Sequence, residues 1–398
     1  MSEASEIVRI AAKGDGVTAD GRHVPYAAPG DALLPDGSLA PGPHHAVPPC
    51  RHFGTCGGCQ LQHCDEPSIT RYVGERVAFA AQSQGVAIGE LLAPHLSPPR
   101  SRRRCTLHAL SAGGKPVIGF REAGSHRVVD MRECHILRPE LFALVPALRA
   151  LLARRKGRFA VDIELALTDQ GVDCALANLP VEGLEDTEAL LAFAQENRLA
   201  RLTLDQGYGP EPVWEPEPVT VSLSGIPVGF PSGSFLQATA DGEAALAGAT
   251  REWLAGAGVI VDLFAGLGTF SFPLAETAKV LAVEAARDAH LACKAAAGRS
   301  GRAVHAMHRD LFRNPLQPDE LNRFDAVLLD PPRAGARDQV ARLAESTVPR
   351  IAYVSCNPSS WARDAARLVD AGYRLDRVRP VGQFVWSTHV ELASLFVR

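Results

Sequence analysis

With 398 residues the chain exceeds one modest core, and two or three domains are expected. Its 46% hydrophobic and 22% charged content is that of an ordinary globular protein. No apolar run approaches the ~18–20 residues of a membrane span. A net charge of −4 advertises no polyanion partner for the molecule as a whole. The opening residues, MSEASEIVRIAAKGDG, lack a charged-then-apolar export layout, so a cytoplasmic location is expected.

Residues 6–34 alternate short β-like runs with Gly/Asp turns, which predicts a small β-barrel fragment. A Pro/Gly/His-rich linker follows at 35–49, then a cysteine-dense segment at 50–64 and a helical pattern over about 69–84. From about 91 to 224, strand-like runs such as TLHALSA and FAVDIELAL mix with Ala/Leu-rich helical stretches, as in an α+β domain. Within it, RSRRRCTLH sets four arginines among residues 100–104. Such a cluster reads equally as a nucleic-acid patch or a solvated face. From about 226 onward VIVDLFAGLG, KVLAVEAA, AVHAMHRD, FDAVLLDPPR and RIAYVSCN alternate with helical stretches. That alternation predicts a parallel, doubly wound sheet.

In such sheets reacting groups collect at the carboxyl ends of strands. VIVDLFAGLGTFSFPLA runs a buried strand through Asp262 into a loop with Gly266 and Gly268, where a ligand can approach the backbone. The third spaced glycine of a dinucleotide site is missing, which argues against NAD. Glu284 ends the next strand, where an acid can bind ribose hydroxyls. Asp330 closes an apolar strand and precedes two prolines that stiffen the following loop. Cys356 stands at the end of another strand, either as a small buried hydrophobe or as a reacting group. Near the carboxyl end Glu391 lies in an apolar surround, with His389 two residues before it; it reads as a structural hydrogen-bond partner or a tuned base.

There are nine cysteines. In a reducing compartment clustered cysteines point to metal or catalysis rather than disulfides. CRHFGTCGGC brings together Cys50, Cys56 and Cys59, and the next plausible partner is Cys134. A structural zinc finger pairs two short-spaced knuckles, whereas three close cysteines and one distant one fit a 4Fe–4S cluster better. Cys64 is a nearby spare.

CRHFGTCGGCQLQH, GFREAGSHRVVDMRECHIL, GSFLQA, DLFAGLGTFSFPLA, LLDPPRAG, YVSCNPSSWARD and the final STHVE, in that order, resemble the S-adenosylmethionine-dependent RNA 5-methyluridine methyltransferases. The resemblance covers nearly the whole chain. It implies Cys356 as nucleophile and Glu391 as general base. It also implies a cofactor site lined by Gln237, Phe264, Thr269, Glu284, Asp310 and Asp330. Cys50, Cys56, Cys59 and Cys134 would hold the 4Fe–4S cluster. The implied partner is RNA, ribosomal RNA ranked ahead of transfer RNA, with no membrane, no obligate protein partner, and a monomer as the default.

The expected organisation is therefore a shortened TRAM-like β segment over 1–38 and a linker with the cysteine loop over 39–66. An α+β RNA-binding domain with Cys134 follows over 67–225, and a Rossmann-like methyltransferase domain over 226–398. With the amino-terminal barrel shortened, RNA affinity is expected to shift to the middle domain, including Arg100, Arg102, Arg103 and Arg104. Three departures from the family pattern bear on substrate contacts. Ala238-Thr239 follow Gln237 where asparagine is usual at the second position. Ala265 replaces a common cysteine, and Val385 a usual proline. Two rival readings stand beside this one. An exocyclic-amine RNA methyltransferase would use Asp330-Pro331-Pro332 and need no cysteine, although Arg333 follows where an aromatic residue is common. A non-catalytic, metal-bearing RNA-binding protein would use neither Cys356 nor Glu391.

Overall fold

The computed structural model describes residues 4–155 and 157–398. They form two compact units. The first comprises residues 4–72, Pro98–Val219 and a five-residue excursion, Phe384–Thr388. The second comprises Val73–Ser97, Thr220–Gln383 and His389–Arg398. Among the described residues no helix is long and apolar enough to cross a membrane.

The first unit opens with a five-stranded sheet built from Ser5–Ile10, Gly16–Thr18, His23–Val24, Ala32–Leu33 and Leu39–Ala40. Its spatial order is third, second, first, fourth, fifth, and every pairing is antiparallel. The two outer strands do not pair with each other among the described residues, so the ladder is open where a closed barrel would join them. The 35–49 stretch, expected as a linker, carries the fifth strand. Buried Asp31 holds that stretch, accepting from the backbone N–H of Ala28 and Gly42 at 2.7 Å each.

A six-stranded sheet makes the rest of the unit's core, with Arg158–Thr168 and Gly171–Ala177 at its centre. Burial alternates along Arg104–Ala112, as a strand with one face inward requires. Leu107, Ile163, Cys174 and Leu202 pack there against Leu148 and Leu152 of the helix Leu144–Ala153.

The second unit is built on seven strands: β1 Val259–Leu263, β2 Lys279–Glu284, β3 Val304–His308, β4 Ala326–Leu329, β5 Arg350–Ser355, β6 Arg374–Gly382 and β7 Glu391–Val397. Their order is 3-2-1-4-5-7-6, and the short strands Glu90–Leu91 and His95–Leu96 add to the β6 edge. β1 to β5 run parallel, and β7 is antiparallel to both β5 and β6. β4 and β5 are buried almost throughout, as strands covered on both faces must be. The expected boundary at 225/226 falls in the turn of a hairpin, Thr220–Leu223 with Ile226–Gly229. A Gly-bearing turn looks like a border in sequence; the main segment of the unit instead starts at Thr220.

The helix Pro358–Asp370 packs against β6 and β7 and carries an apolar stripe that includes Trp361, Ala365 and Leu368. Trp361 is fully buried and donates its indole N–H to Ser394 Oγ at 2.9 Å. Burial of a side chain this size contributes at least ~1.5–3 kcal/mol, and pairing its one polar atom avoids a desolvation penalty.

Candidate active site

Because β1 to β5 are parallel, their carboxyl ends share one edge of the sheet. Phe264 follows β1, Glu284 ends β2, Asp310 lies two residues past β3, Asp330 follows β4 and Cys356 follows β5. The strand order reverses between β1 and β4, the position at which open α/β sheets bind ligands. β7 runs the other way, so its first residue, Glu391, arrives at this same edge. Ser355 and Leu392 are ladder partners. Cys356 and Glu391 are each one residue beyond that rung, on neighbouring strands. Gln237 comes to the same edge through Gln383, the residue after β6.

The loop after β1 is held by the Glu284 carboxylate. It accepts from Gly266 N at 2.8 Å and from Ala286 N at 2.6 Å. Glu284 thus shapes the loop as well as facing the crevice, which sequence reading alone does not show. Phe264 adopts φ +66°, a left-handed conformation that is costly for a bulky residue and is retained where the surroundings dictate it. Its ring lies 5.3 Å from that of half-exposed Phe312. Phe312 is in turn fixed by Asp310, whose carboxylate accepts from Phe312 N at 2.9 Å and Arg313 N at 3.2 Å. Thr269 lies farther along the same loop, partly exposed.

Charge is crowded at this edge. Burial pushes the Cys356 thiol up to about 11; Glu391 and Asp330 add to the rise, and Arg333 opposes it weakly. Burial raises the Asp330 carboxyl well above the carboxylate range, with Glu391 and Asp262 contributing. Fully buried Asp262 rises to about 7 from burial, partly offset by a 2.6 Å hydrogen bond donated by Ser271 Oγ. Two acids and a thiol near one another can pass a proton among themselves, whereas an isolated thiol in that burial would stay protonated.

The loop after Asp330-Pro331-Pro332 is fastened to the helix that follows Cys356. Asn357 Nδ2 and Ser360 Oγ donate to Arg333 O at 3.1 and 3.0 Å. Buried Asp364 accepts from Ala336 N at 2.9 Å and Tyr353 Oη at 2.8 Å. Asp364 was not singled out from the sequence. The available signal is a carboxylate on the apolar stripe of its helix, beside Trp361, Ala365 and Leu368.

In the first unit Cys50, Cys56, Cys59 and Cys134 line a single cavity together with Phe120 and Met131. Burial raises all four thiols, Cys59 to about 12, and each of Cys50, Cys56 and Cys59 is raised further by its neighbours in the set. Cysteine thiols are thiophilic metal donors. Among the described residues, however, no group of three His, Cys, Asp or Glu converges as ligands of one metal ion. Cys64 does not line this cavity; it is buried and bridges to His45.

The arginine cluster differs from its expected role at one member. Arg102 is not splayed to solvent. Its guanidinium lies 4.4 Å from the Phe384 ring centroid and 5.6 Å from that of Phe120, and Nε donates to Arg104 O at 2.8 Å. Burial lowers its pKa, and the nearby thiols Cys105, Cys134, Cys59 and Cys56 act in the opposite sense. Desolvation against two aromatic rings draws this arginine inward, while Arg100 stays exposed.

Comparison with known proteins agrees with these features. A family model described as tRNA (Uracil-5-)-methyltransferase matches residues 228–398. An uncharacterized RNA methyltransferase of Zymomonas mobilis is 49% identical over 394 residues, covering 99% of each chain. The 23S rRNA (uracil(1939)-C(5))-methyltransferase of Chromohalobacter salexigens is 34% identical over 374 residues, covering 90% of this chain and 78% of that one. The fold matches the Pyrococcus abyssi tRNA (uracil-54, C5)-methyltransferase, solved with S-adenosyl-L-homocysteine, at TM-score 0.75 and 22% identity, covering 99% and 100% of the two chains. By these near full-length relationships, the chain belongs to the S-adenosylmethionine-dependent RNA (uracil-C5-)-methyltransferase family.

Proposed function

We propose that the protein methylates carbon 5 of a uridine in RNA, with Cys356 as nucleophile and Glu391 as general base. The observation that carries this reading is the β5–β7 register. Ser355 pairs with Leu392, so the two reacting groups face each other one step beyond that rung. Residues opposite each other on antiparallel strands have Cα atoms roughly 4.5–5.5 Å apart, close enough to act on one ring.

S-adenosylmethionine would supply an electrophilic methyl group. Gln237, Phe264, Thr269, Glu284, Asp310 and Asp330 are the residues that would hold it. Carbon 5 of uracil is a poor nucleophile. Addition of the Cys356 sulfur to carbon 6 forms an S–C bond and moves the C5=C6 electron pair onto carbon 5, conjugated with the C4 carbonyl. Carbon 5 then bonds to the methyl carbon as the methyl–sulfonium bond breaks. Glu391 takes the hydrogen of carbon 5 as a proton. The released pair restores C5=C6, and the Cys356 sulfur leaves as thiolate. With its thiol raised to about 11, Cys356 rests protonated at neutral pH, so its proton must pass to a neighbouring base as the sulfur attacks. A uridine within a stack is out of reach, so the target base must be extruded into the site.

Cys50, Cys56, Cys59 and Cys134 are the residues that would hold a 4Fe–4S cluster. Its role here would be structural, pinning the 50–59 loop to the Cys134 segment. The cavity that the four cysteines line supports this reading. For the substrate we favour ribosomal RNA, because the 34% identical relative is named for 23S rRNA.

The test is nucleoside mass spectrometry of transfer and ribosomal RNA from cells lacking the protein, incubated with purified protein and S-adenosylmethionine. A rise of 5-methyluridine in the ribosomal fraction, absent with Cys356→Ala, is expected. Methylation of an exocyclic amine that survives Cys356→Ala would replace this reading with the amine-methyltransferase one. A rise only in transfer RNA would keep the chemistry and overturn the substrate.

A further inference from the structure

Within the first unit, the excursion Phe384–Thr388 is fastened to the end of the cysteine loop. Gln60, directly after Cys59, makes the attachment together with Leu61. Gln60 N and Leu61 N both donate to Trp386 O, at 2.7 and 2.9 Å. Thr388 N donates to Gln60 Oε1 at 3.3 Å, and Gln60 Nε2 donates to Gly57 O at 2.7 Å. A carbonyl oxygen only accepts and a backbone N–H only donates, so both neighbours fix the same orientation of the Gln60 amide. Gly14, at φ +100°, lies against the pair. A Cβ there would stand 3.0 Å from Gln60 Cβ and 3.4 Å from Thr388 Cγ2.

Thr388 closes the excursion, and only His389 and Val390 separate it along the chain from Glu391. Neither of those two lies in a strand. Glu391 is the first residue of β7. It has a ladder partner on one side alone, Val381 of β6, because pairing with β5 starts one residue later at Leu392. The path of the backbone into Glu391 is therefore set by that rung and by the place where Thr388 is held.

We infer that Gln60 is a positioning residue for the proposed reaction: by holding Thr388 N it keeps the Glu391 carboxylate placed to take the hydrogen of carbon 5. This rests on the reading of Glu391 as general base. In that reaction the C6–S bond persists after methyl transfer until a base removes the carbon-5 proton. Slow proton removal therefore leaves protein and methylated RNA covalently joined. Damage to RNA binding, cofactor binding or folding leaves less of the joined species, not more.

Two variants separate the ties that Gln60 makes. Gln60→Leu removes both. Gln60→Glu keeps an acceptor for Thr388 N and sets a second oxygen against Gly57 O. The test incubates full-length protein with methyl-labelled S-adenosylmethionine and total RNA from cells lacking the protein. It reads labelled protein–RNA adduct on denaturing gels beside the 5-methyluridine released. Gln60→Leu should slow release about 10-fold while labelled adduct accumulates, as it should in Glu391→Gln. Gln60→Glu should stay near wild type in adduct, even where its thermal midpoint falls as far as that of Gln60→Leu. Gln60→Asn, one methylene too short to reach Thr388 N, answers the same question should Gln60→Leu fail to fold. Adduct and product falling together in Gln60→Leu or Gln60→Asn, with adduct accumulating in Glu391→Gln, would overturn the inference and leave Glu391 as the base. Adduct accumulating equally in Gln60→Glu would overturn the part given to Thr388 N. No adduct in Glu391→Gln would overturn the base itself, and the inference with it.

Discussion

The Tyr353 hydroxyl donates to the Asp364 carboxylate at 2.8 Å, joining β5 to the helix that follows Cys356. The same carboxylate accepts from Ala336 N and from the Arg363 guanidinium, so it ties the loop after Asp330 to the strand that ends at Cys356. Gly335, at φ +85°, lies directly on it: a Cβ there would approach Asp364 Oδ2 to 2.5 Å. Asp364→Ala strips two buried donors, Ala336 N–H and the Tyr353 hydroxyl, of their acceptor and should cost about 2–6 kcal/mol. Tyr353→Phe, which removes one hydrogen bond to a charged group, should cost about 1.5–3 kcal/mol. Denaturant midpoints of the two variants check this ranking, and equal costs would sink the idea of Asp364 as the shared anchor.

Burial and two neighbouring carboxylates hold the Cys356 thiol at about 11. In ligand-free protein its alkylation by iodoacetamide, read on the Cys356 peptide by mass spectrometry, should climb about tenfold per pH unit from 7 to 10, following the thiolate fraction. Glu391→Gln removes one of the charges that raise the thiol. That variant should alkylate faster than wild type at pH 8 even though it loses methylation. Cys356 also directly precedes the N-cap of the helix Pro358–Asp370, and a helix N-terminus favours a thiolate. A rate that levels off below pH 9 would mean the helix outweighs burial.

Asp262 is fully buried, with its folded value raised to about 7 against an ordinary 3.8. A raised folded value means that its contribution is fully present below about 3.8 and is lost as pH rises through 7. Asn cannot ionise and can still accept from Ser271, so Asp262→Asn should outlast the wild type on heating. Its margin should grow from pH 4 to pH 7 and flatten above. Melting curves at pH 4, 6 and 8 are the measurement, and a margin that does not vary with pH would show that Asp262 stays charged in the folded protein.

Much of the second unit was legible because its strands are short apolar runs that end on a polar residue. Asp330 and Cys356 stand out at the ends of β4 and β5 for that reason, and strand alternation brings Glu391 forward. What escaped depends on contacts between distant segments. Leu39–Ala40 is too short to show a period, so a strand passed for linker. The hairpin turn at Ser224-Gly225 carries the composition of a domain border without being one. The Gln237–Gln383 pair joins residues that no local pattern relates, and Arg102 reads as solvated until Phe384 is seen over its guanidinium.

That last contact separates the arginine cluster into two kinds of residue. Arg102 is half-buried between Phe120 and Phe384, beside the cysteine-lined cavity, whereas Arg100 is exposed. A cation stacked on aromatic rings contributes about 2 kcal/mol when desolvated. Each phosphate contact from an exposed arginine, by comparison, adds about 0.7–0.9 to the slope of log affinity against log salt. Arg102→Ala should therefore lower the melting temperature and leave the salt slope of RNA binding unchanged. Arg100→Ala should do the reverse, reducing the slope by up to one such increment at an unchanged melting temperature. Filter-binding titrations at several salt concentrations, beside melting curves, read both. A slope that falls with Arg102→Ala would mean that its guanidinium leaves the two rings to meet RNA.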